Sequence, residues 1–193
     1  ALPAVLGLDL AGTVIESGEA VHDFSPGDEV FGMAGGIGGA QGAMAEYIAV
    51  DARLLALKPR TSDMREAAAL PLAFITAWEG LVDRANVRAG QRVLVHGGAG
   101  GVGHVAVQLA KAQGADVYAI GSADSLDFIR SLGATAIDYQ LESPDDYIER
   151  HTAGEGFDIV YDTVGGSTLD ASFKAVKAYS GHVVSCLGWG RHS

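Results

Sequence analysis

The spacing of apolar positions changes near residue 60. Before it, apolar runs are short: 8–15, 29–33, 44–50 and 54–58. Turn chemistry separates them, with Glu16-Ser17-Gly18 after the first, Ser25-Pro26-Gly27-Asp28 before the second and Pro59 after the last. Residues 35–42 hold five glycines and are expected to form a flexible loop. Closely spaced short strands with glycine-rich turns predict a small barrel or sandwich.

The pattern then becomes helical. Asp63-Met64-Arg65-Glu66 has the spacing of a capping box, opening a helical run over 66–70. Pro71 suits the first turn of the next helix, which carries Phe74, Ile75, Ala77, Trp78 and Leu81. From Val93 onward, strands and helices alternate. Strands are predicted over 93–96, 117–120, 136–139, 159–162 and 182–187, and helices over 102–113, 125–132, 144–152 and 168–179. Such alternation predicts an α/β protein with a doubly wound parallel sheet, here with five of the usual six strands. The expected domains are 1–60, connecting helices over 61–90, and 91–193.

The junction of the first predicted strand and helix of that second part carries the clearest chemistry. After Val93-Leu94-Val95 come Gly98, Gly100 and Gly103 in G-x-G-x-x-G spacing. In a strand–turn–helix setting, one glycine permits the turn, the next leaves room for a pyrophosphate, and the third lets helix pack on strand. The helix then directs unsatisfied N–H groups and its positive dipole end at the phosphates. A nucleoside-triphosphatase loop would need Gly-Lys-Ser/Thr, whereas this chain continues Val102-Gly103-His104. The expected ligand is a dinucleotide.

Composition narrows the partners. Of 193 residues, 48% are hydrophobic and 19% charged, as in a globular protein with a sizeable core. The 27 glycines are scattered among turns without a period, which excludes a collagen-like chain. A net charge of −11 supplies no basic stripe, so no nucleic-acid or anionic-membrane partner is expected. Cys186 is the single cysteine and reads as a small buried residue. With no signal peptide or bilayer-length apolar run, it fits a reducing cytoplasm.

Several motifs together resemble the medium-chain dehydrogenases/reductases, in their zinc-free quinone oxidoreductase branch. They are 5–12 (VLGLDLAG), 26–32 (PGDEVFG), Ala45-Glu46-Tyr47, 70–78 (LPLAFITAW), the glycine turn and 158–166 (DIVYDTVGG). The resemblance implies a partial GroES-like β-barrel followed by a Rossmann dinucleotide-binding domain. It also implies that the chain is the central part of such a protein, lacking the first barrel strands, the last sheet strand and the C-terminal helices. In zinc-dependent relatives a His stands at Leu8 and a Cys at Leu72; leucine has no lone pair to offer. No i, i+4 pair occurs among His22, His96, His104, His151, His182 and His192. Asp9 and Glu46 are read as structural carboxylates rather than ligands, and no metal is expected.

Without a Lewis acid, reduction of a quinone or an α,β-unsaturated carbonyl is the easier chemistry, since the acceptor's own carbonyl spreads the charge. No general acid is evident, and no Tyr-x-x-x-Lys is present. The expected cofactor contacts are Gly98, Ala99, Gly100, Gly101, Val102 and Gly103 at the turn, with Gly121 and Ser122 ending the second strand. The resemblance adds Thr76 near the nicotinamide and Tyr139 on the adenosine side. Thr163, Val164 and Gly188 lie just past strand ends, where ligands of open sheets bind. Gly121 and Ser122 leave room for a 2′-phosphate, which favours NADPH over NADH. Asp124 is read as a helix cap, with ribose binding as its other role; Trp78 and Trp189 are read as core or interface. An enoyl-thioester reductase and a dinucleotide-binding module without turnover are the competing functions. The resemblance also implies pairing through the far edge of the nucleotide domain, whose edge strand is absent here, so oligomeric state stays open with a homodimer as one expectation.

Overall fold

The computed structural model describes residues 5–35 and 41–188. Most of the expected glycine-rich loop, together with Trp189 and His192, falls outside those residues. The chain divides into two compact units, residues 1–73 and 74–193.

In the first unit, β1 (Asp9–Thr13), β2 (Glu29–Met33) and β3 (Leu55–Leu57) form an antiparallel sheet in that order. β1 pairs with β2 from Asp9↔Met33 to Thr13↔Glu29. Three of the expected strands are thus present, the second with its expected bounds and the other two shortened at their ends. The run 44–50 is not a strand: Met44 and Tyr47 are exposed, and among the described residues it joins no ladder. Backbone pairing with residues 5–7 reaches only its first residue, where the Met44 amide donates to the Leu6 carbonyl at 2.8 Å. A 3₁₀ turn, Ala52–Leu54, capped by the Asp51 side chain, was not evident from the pattern.

The capping box is present. Asp63 Oδ1 accepts from the Glu66 amide at 2.8 Å, and Glu66 Oε2 accepts from the Asp63 amide at 3.0 Å. It caps α1 (Met64–Ala68), which starts and stops two residues earlier than expected. α2 (Pro71–Trp78) continues as a π-helical segment, Glu79–Arg84. The wide turn admits a side chain from the neighbouring sheet. Tyr161 is fully buried, a Cβ on Gly80 would lie 2.8 Å from its ring, and its hydroxyl donates to the Thr76 carbonyl at 2.9 Å.

The second unit holds the parallel sheet. Its strands are β4 (Arg92–His96), β5 (Asp116–Gly121), β6 (Thr135–Asp138), β7 (Ile159–Asp162) and β8 (His182–Ser185). They are ordered β6-β5-β4-β7-β8, all parallel. The crossovers are α3 (Gly103–Ala112), α4 (Leu126–Ser131), α5 (Pro144–Thr152) and α6 (Ser167–Ala175). One sheet face, with Leu94, Ile120, Ile137 and Val160, packs with Tyr147 of α5 and Ala175 of α6. β4 and β7 lie deepest, as their continuous apolar runs predict.

Most expected boundaries move by a residue, and three of the shifts change the reading. α6 ends at Ala175 instead of 179, because Val176 turns extended and bridges to Phe157. β8 stops at Ser185, so Cys186 lies beyond it and is only half-buried. β6 ends one residue before Tyr139. Among the described residues no helix is long and apolar enough to cross a membrane.

Candidate functional site

Chain order fixes where a ligand can sit. From β4 the chain winds outward through β5 and β6, then crosses to the other side of β4 for β7 and β8. The crossovers therefore diverge at the C-terminal end of β4, opening a crevice at the switch point. A cleft of about 590 Å³ lies there, lined from the ends of β4, β5, β6 and β7.

The glycine turn forms its floor, and each glycine has its own reason. Gly97 has φ +72°, and a Cβ on it would lie 2.7 Å from Thr163 Oγ1 and 3.0 Å from Val164 Cγ2. Gly98 donates its amide to Ile120 at 2.9 Å, and a Cβ there would come within 2.6 Å of the Ala119 Cβ. Gly103 opens α3, and any side chain on it would overlap the Gly97 carbonyl oxygen. Around Gly101, by contrast, nothing lies within 4 Å, and at Gly100 the nearest atom to a Cβ would be the Gly97 carbonyl oxygen at 3.2 Å. Gly97, Gly98 and Gly103 are therefore required by the fold, while Gly100 and Gly101 leave open space before the helix. No side chain caps α3, whose N-cap is Val102. The His104 amide already donates to the Gly100 carbonyl at 3.0 Å, so what the helix mouth offers a ligand is its dipole end and the amides before His104.

Most of the expected contacts meet in the cleft. Ala99 and Gly100 line it from the turn, Gly121 and Ser122 from β5, and Tyr139, Thr163 and Val164 from beyond β6 and β7. Tyr139 is more than half exposed, so it is a rim residue rather than a packed sheet edge. Gly98, Gly101, Val102 and Gly103 build the turn and helix start without lining the cleft. Thr76 does not line it either; its carbonyl is the acceptor for Tyr161. Gly188 stands beside the β7 loop, where its carbonyl oxygen would be 3.3 Å from a Cβ on Gly165.

Sequence reasoning missed Gly97, Ile120, Ser125 and Thr168 as lining residues. Ser125 hydroxyl donates to the Ser122 carbonyl at 2.8 Å, closing the 3₁₀ turn Ala123–Ser125. Asp124 lies exposed inside that turn and caps nothing, because Ser125 holds the N-cap position of α4. The nearness of Ser122 and Ser125 was readable from their i, i+3 spacing. The role of Gly97 was not, since its partners come from β7.

Beneath the cleft, His96 and Asp162 end their strands side by side, in register and buried. Burial pushes the His96 imidazole down to about 4, although the Asp162 charge pulls the other way. Asp162 Oδ1 accepts from the amides of Val164 at 2.8 Å and Gly165 at 3.0 Å.

In the first unit Asp9 is tied to the backbone, its Oδ1 accepting from the Leu72 amide at 2.9 Å. Burial raises its pKa, and this hydrogen bond partly offsets the rise. Glu46 is exposed. Among the described residues no three His, Cys, Asp or Glu side chains are grouped to hold a metal. Trp78 is not a core residue: it is 39% exposed and stacks with Phe74 at 5.7 Å.

Residues 1–60 match the family described as Alcohol dehydrogenase GroES-like domain, and residues 101–191 that described as Zinc-binding dehydrogenase. A curated relative, NADPH-dependent alkenal/one oxidoreductase of Arabidopsis thaliana, is 44% identical over 97% of this chain and 48% of its own length. The chain thus spans about half of that relative. A crystal structure of an alcohol dehydrogenase superfamily protein from Novosphingobium aromaticivorans is 61% identical with TM-score 0.96, covering 100% of this chain and 58% of its own. A quinone oxidoreductase from Pseudomonas syringae is 34% identical with TM-score 0.85, over 95% and 56%.

Proposed function

The chain belongs to the medium-chain dehydrogenase/reductase family, and from that premise we propose that it acts as an NADPH-dependent oxidoreductase passing hydride to an α,β-unsaturated carbonyl or a quinone without a metal. The observation that carries this reading is the cradle before α3. There the fold excludes side chains at Gly97 and Gly103, and the space above Gly100 and Gly101 stays open. A diphosphate fits such a cradle, because uncapped amides replace the missing side-chain donors. Gly98, Ala99, Gly100, Gly101, Val102 and Gly103 would hold it. Gly121, Ser122 and Tyr139 would take the adenosine end, and Thr163, Val164, Gly188 and Thr76 the nicotinamide end.

The bound coenzyme would supply the hydride. The chain's own part is to bind, align and exclude water; no described residue on the cleft wall is a strong acid or base. The relatives support the acceptor class, one being NADPH-dependent toward alkenals and enones and another a quinone oxidoreductase. Leu8 and Leu72 support the metal-free reading, since neither can ligate. The free thiol of Cys186 supports a reducing compartment, and the cytoplasm is the proposed one.

The test is NADPH titration of the purified chain, followed by coenzyme oxidation with an enone, a quinone and an enoyl thioester. Binding with turnover on the first two is expected. Faster turnover on the thioester would replace the acceptor class, and binding without turnover would leave a dinucleotide-binding module. Absence of NADPH binding would overturn the reading altogether.

A further inference from the structure

The turn after β4 and the loop after β7 are the two lips of the cleft, and they touch at Gly97, Thr163 and Val164. The second lip is held from below. Asp162 Oδ1 takes the amides of Val164 and Gly165, folding residues 163–165 back over the strand end. The Thr163 hydroxyl donates to the His96 carbonyl at 2.7 Å, and its amide reaches the same oxygen at 3.4 Å. The lip is thereby fastened to both strands.

His96 and Asp162 are register partners, so their side chains stand on one sheet face. Both are buried, yet His96 Nε2 and Asp162 Oδ2 have no hydrogen-bond partner among the described residues. The unmatched Oδ2 and Nε2 are a cost of burying this pair, while Oδ1 is fully engaged by the two loop amides. The useful work of the carboxylate is done by its other oxygen, on the lip.

We propose that Asp162, seated beside His96, is a positioning residue for dinucleotide binding: it sets the 163–165 lip against the Gly97 turn so that both lips meet one ligand. The inference rests on the dinucleotide reading above. It assigns binding energy to a side chain that does not itself line the cleft.

Three variants test it, with NADPH dissociation constants measured well below each variant's melting temperature. Asp162→Asn keeps an oxygen for both loop amides and should bind NADPH nearly as wild type does. Asp162→Ala removes both bonds and should weaken NADPH about tenfold or more, as expected when a binding loop loses its preorganised geometry. Thr163→Val, nearly isosteric, removes the tie to His96 and should weaken binding several-fold. A structural role alone would lower the melting temperature of the alanine variant and leave its affinity intact. Wild-type affinity in the alanine variant would overturn the proposal; should that variant not fold, wild-type affinity in the valine variant would do so. Failure of the wild-type chain to bind NADPH would sink the underlying reading instead, which separates the two.

Discussion

At the mouth of α3, neighbouring glycines answer to different forces, and substitution separates them. Gly103→Ala drives a methyl group into the Gly97 carbonyl. Overpacking against backbone should cost about 1–3 kcal/mol in a urea melt. Gly100→Ala needs its neighbour to give by only a few tenths of an ångström. It should leave stability close to wild type while weakening NADPH roughly tenfold, on the order of 1.4 kcal/mol. Equal binding by Gly100→Ala and wild type would contradict the cradle. His96 supplies a second residue-scale test. Its folded pKa is about 4, below the usual 6.5, because burial disfavours the imidazolium. Between those values the unfolded chain binds the proton and the folded chain does not, so stability falls as pH drops from about 6.5 to about 4. The loss should approach about 3 kcal/mol at most, and His96→Leu should flatten that part of the pH–stability curve. The G-x-G-x-x-G spacing was legible because it is local. Gly97 and His96 were not, because their partners lie on a strand 60 or more residues away. The bonds of Asp162 are local, but that the loop they fold forms a cleft lip depends on that same distant pairing.

Among the elements, those with caps or buried strands were legible nearly to the residue. α5 occupies its expected range because Ser143 and Asp146 cap each other's backbone and Pro144 starts the helix. Ser143→Ala should cost about 1 kcal/mol in thermal or urea unfolding. The π-helical segment was not legible, since it follows from Tyr161, far along the chain. Replacing an interior helical glycine by alanine ordinarily stabilises by about 1 kcal/mol. Here Gly80→Ala should destabilise instead, because the new methyl would press on the Tyr161 ring. Tyr161→Phe removes the bond to the Thr76 carbonyl and should cost about 1 kcal/mol. A double-mutant cycle between these sites should be non-additive, as contacting residues are. Run 44–50 failed as a strand for the opposite reason: its local pattern was adequate, but a strand is a property of two segments.

For the molecule as a whole, charge and cleft make opposite demands on an anionic coenzyme. The chain carries a net charge of −11, and among the described residues no Lys, Arg, His, Asp or Glu lines the cleft. Attraction for the phosphates must then come from amide dipoles and hydroxyls at contact range, while the long-range field repels them. Added salt screens the field over a Debye length of about 10 Å at 0.1 M but barely touches short hydrogen bonds. NADPH affinity should therefore hold or rise from low to high ionic strength, whereas a site built on a basic clamp loses affinity. In the proposed binding mode the 2′-phosphate would add charge next to Ser122, where no described residue of the cleft wall is a cation. Repulsion should consequently compress any preference for NADPH over NADH at low salt, and the preference should widen as salt is raised. Parallel titrations with both coenzymes across a salt series measure this directly. A steep loss of NADPH affinity with salt would mean that a cation reaches the phosphate, and the amide-and-hydroxyl account of the adenosine end would have to be abandoned.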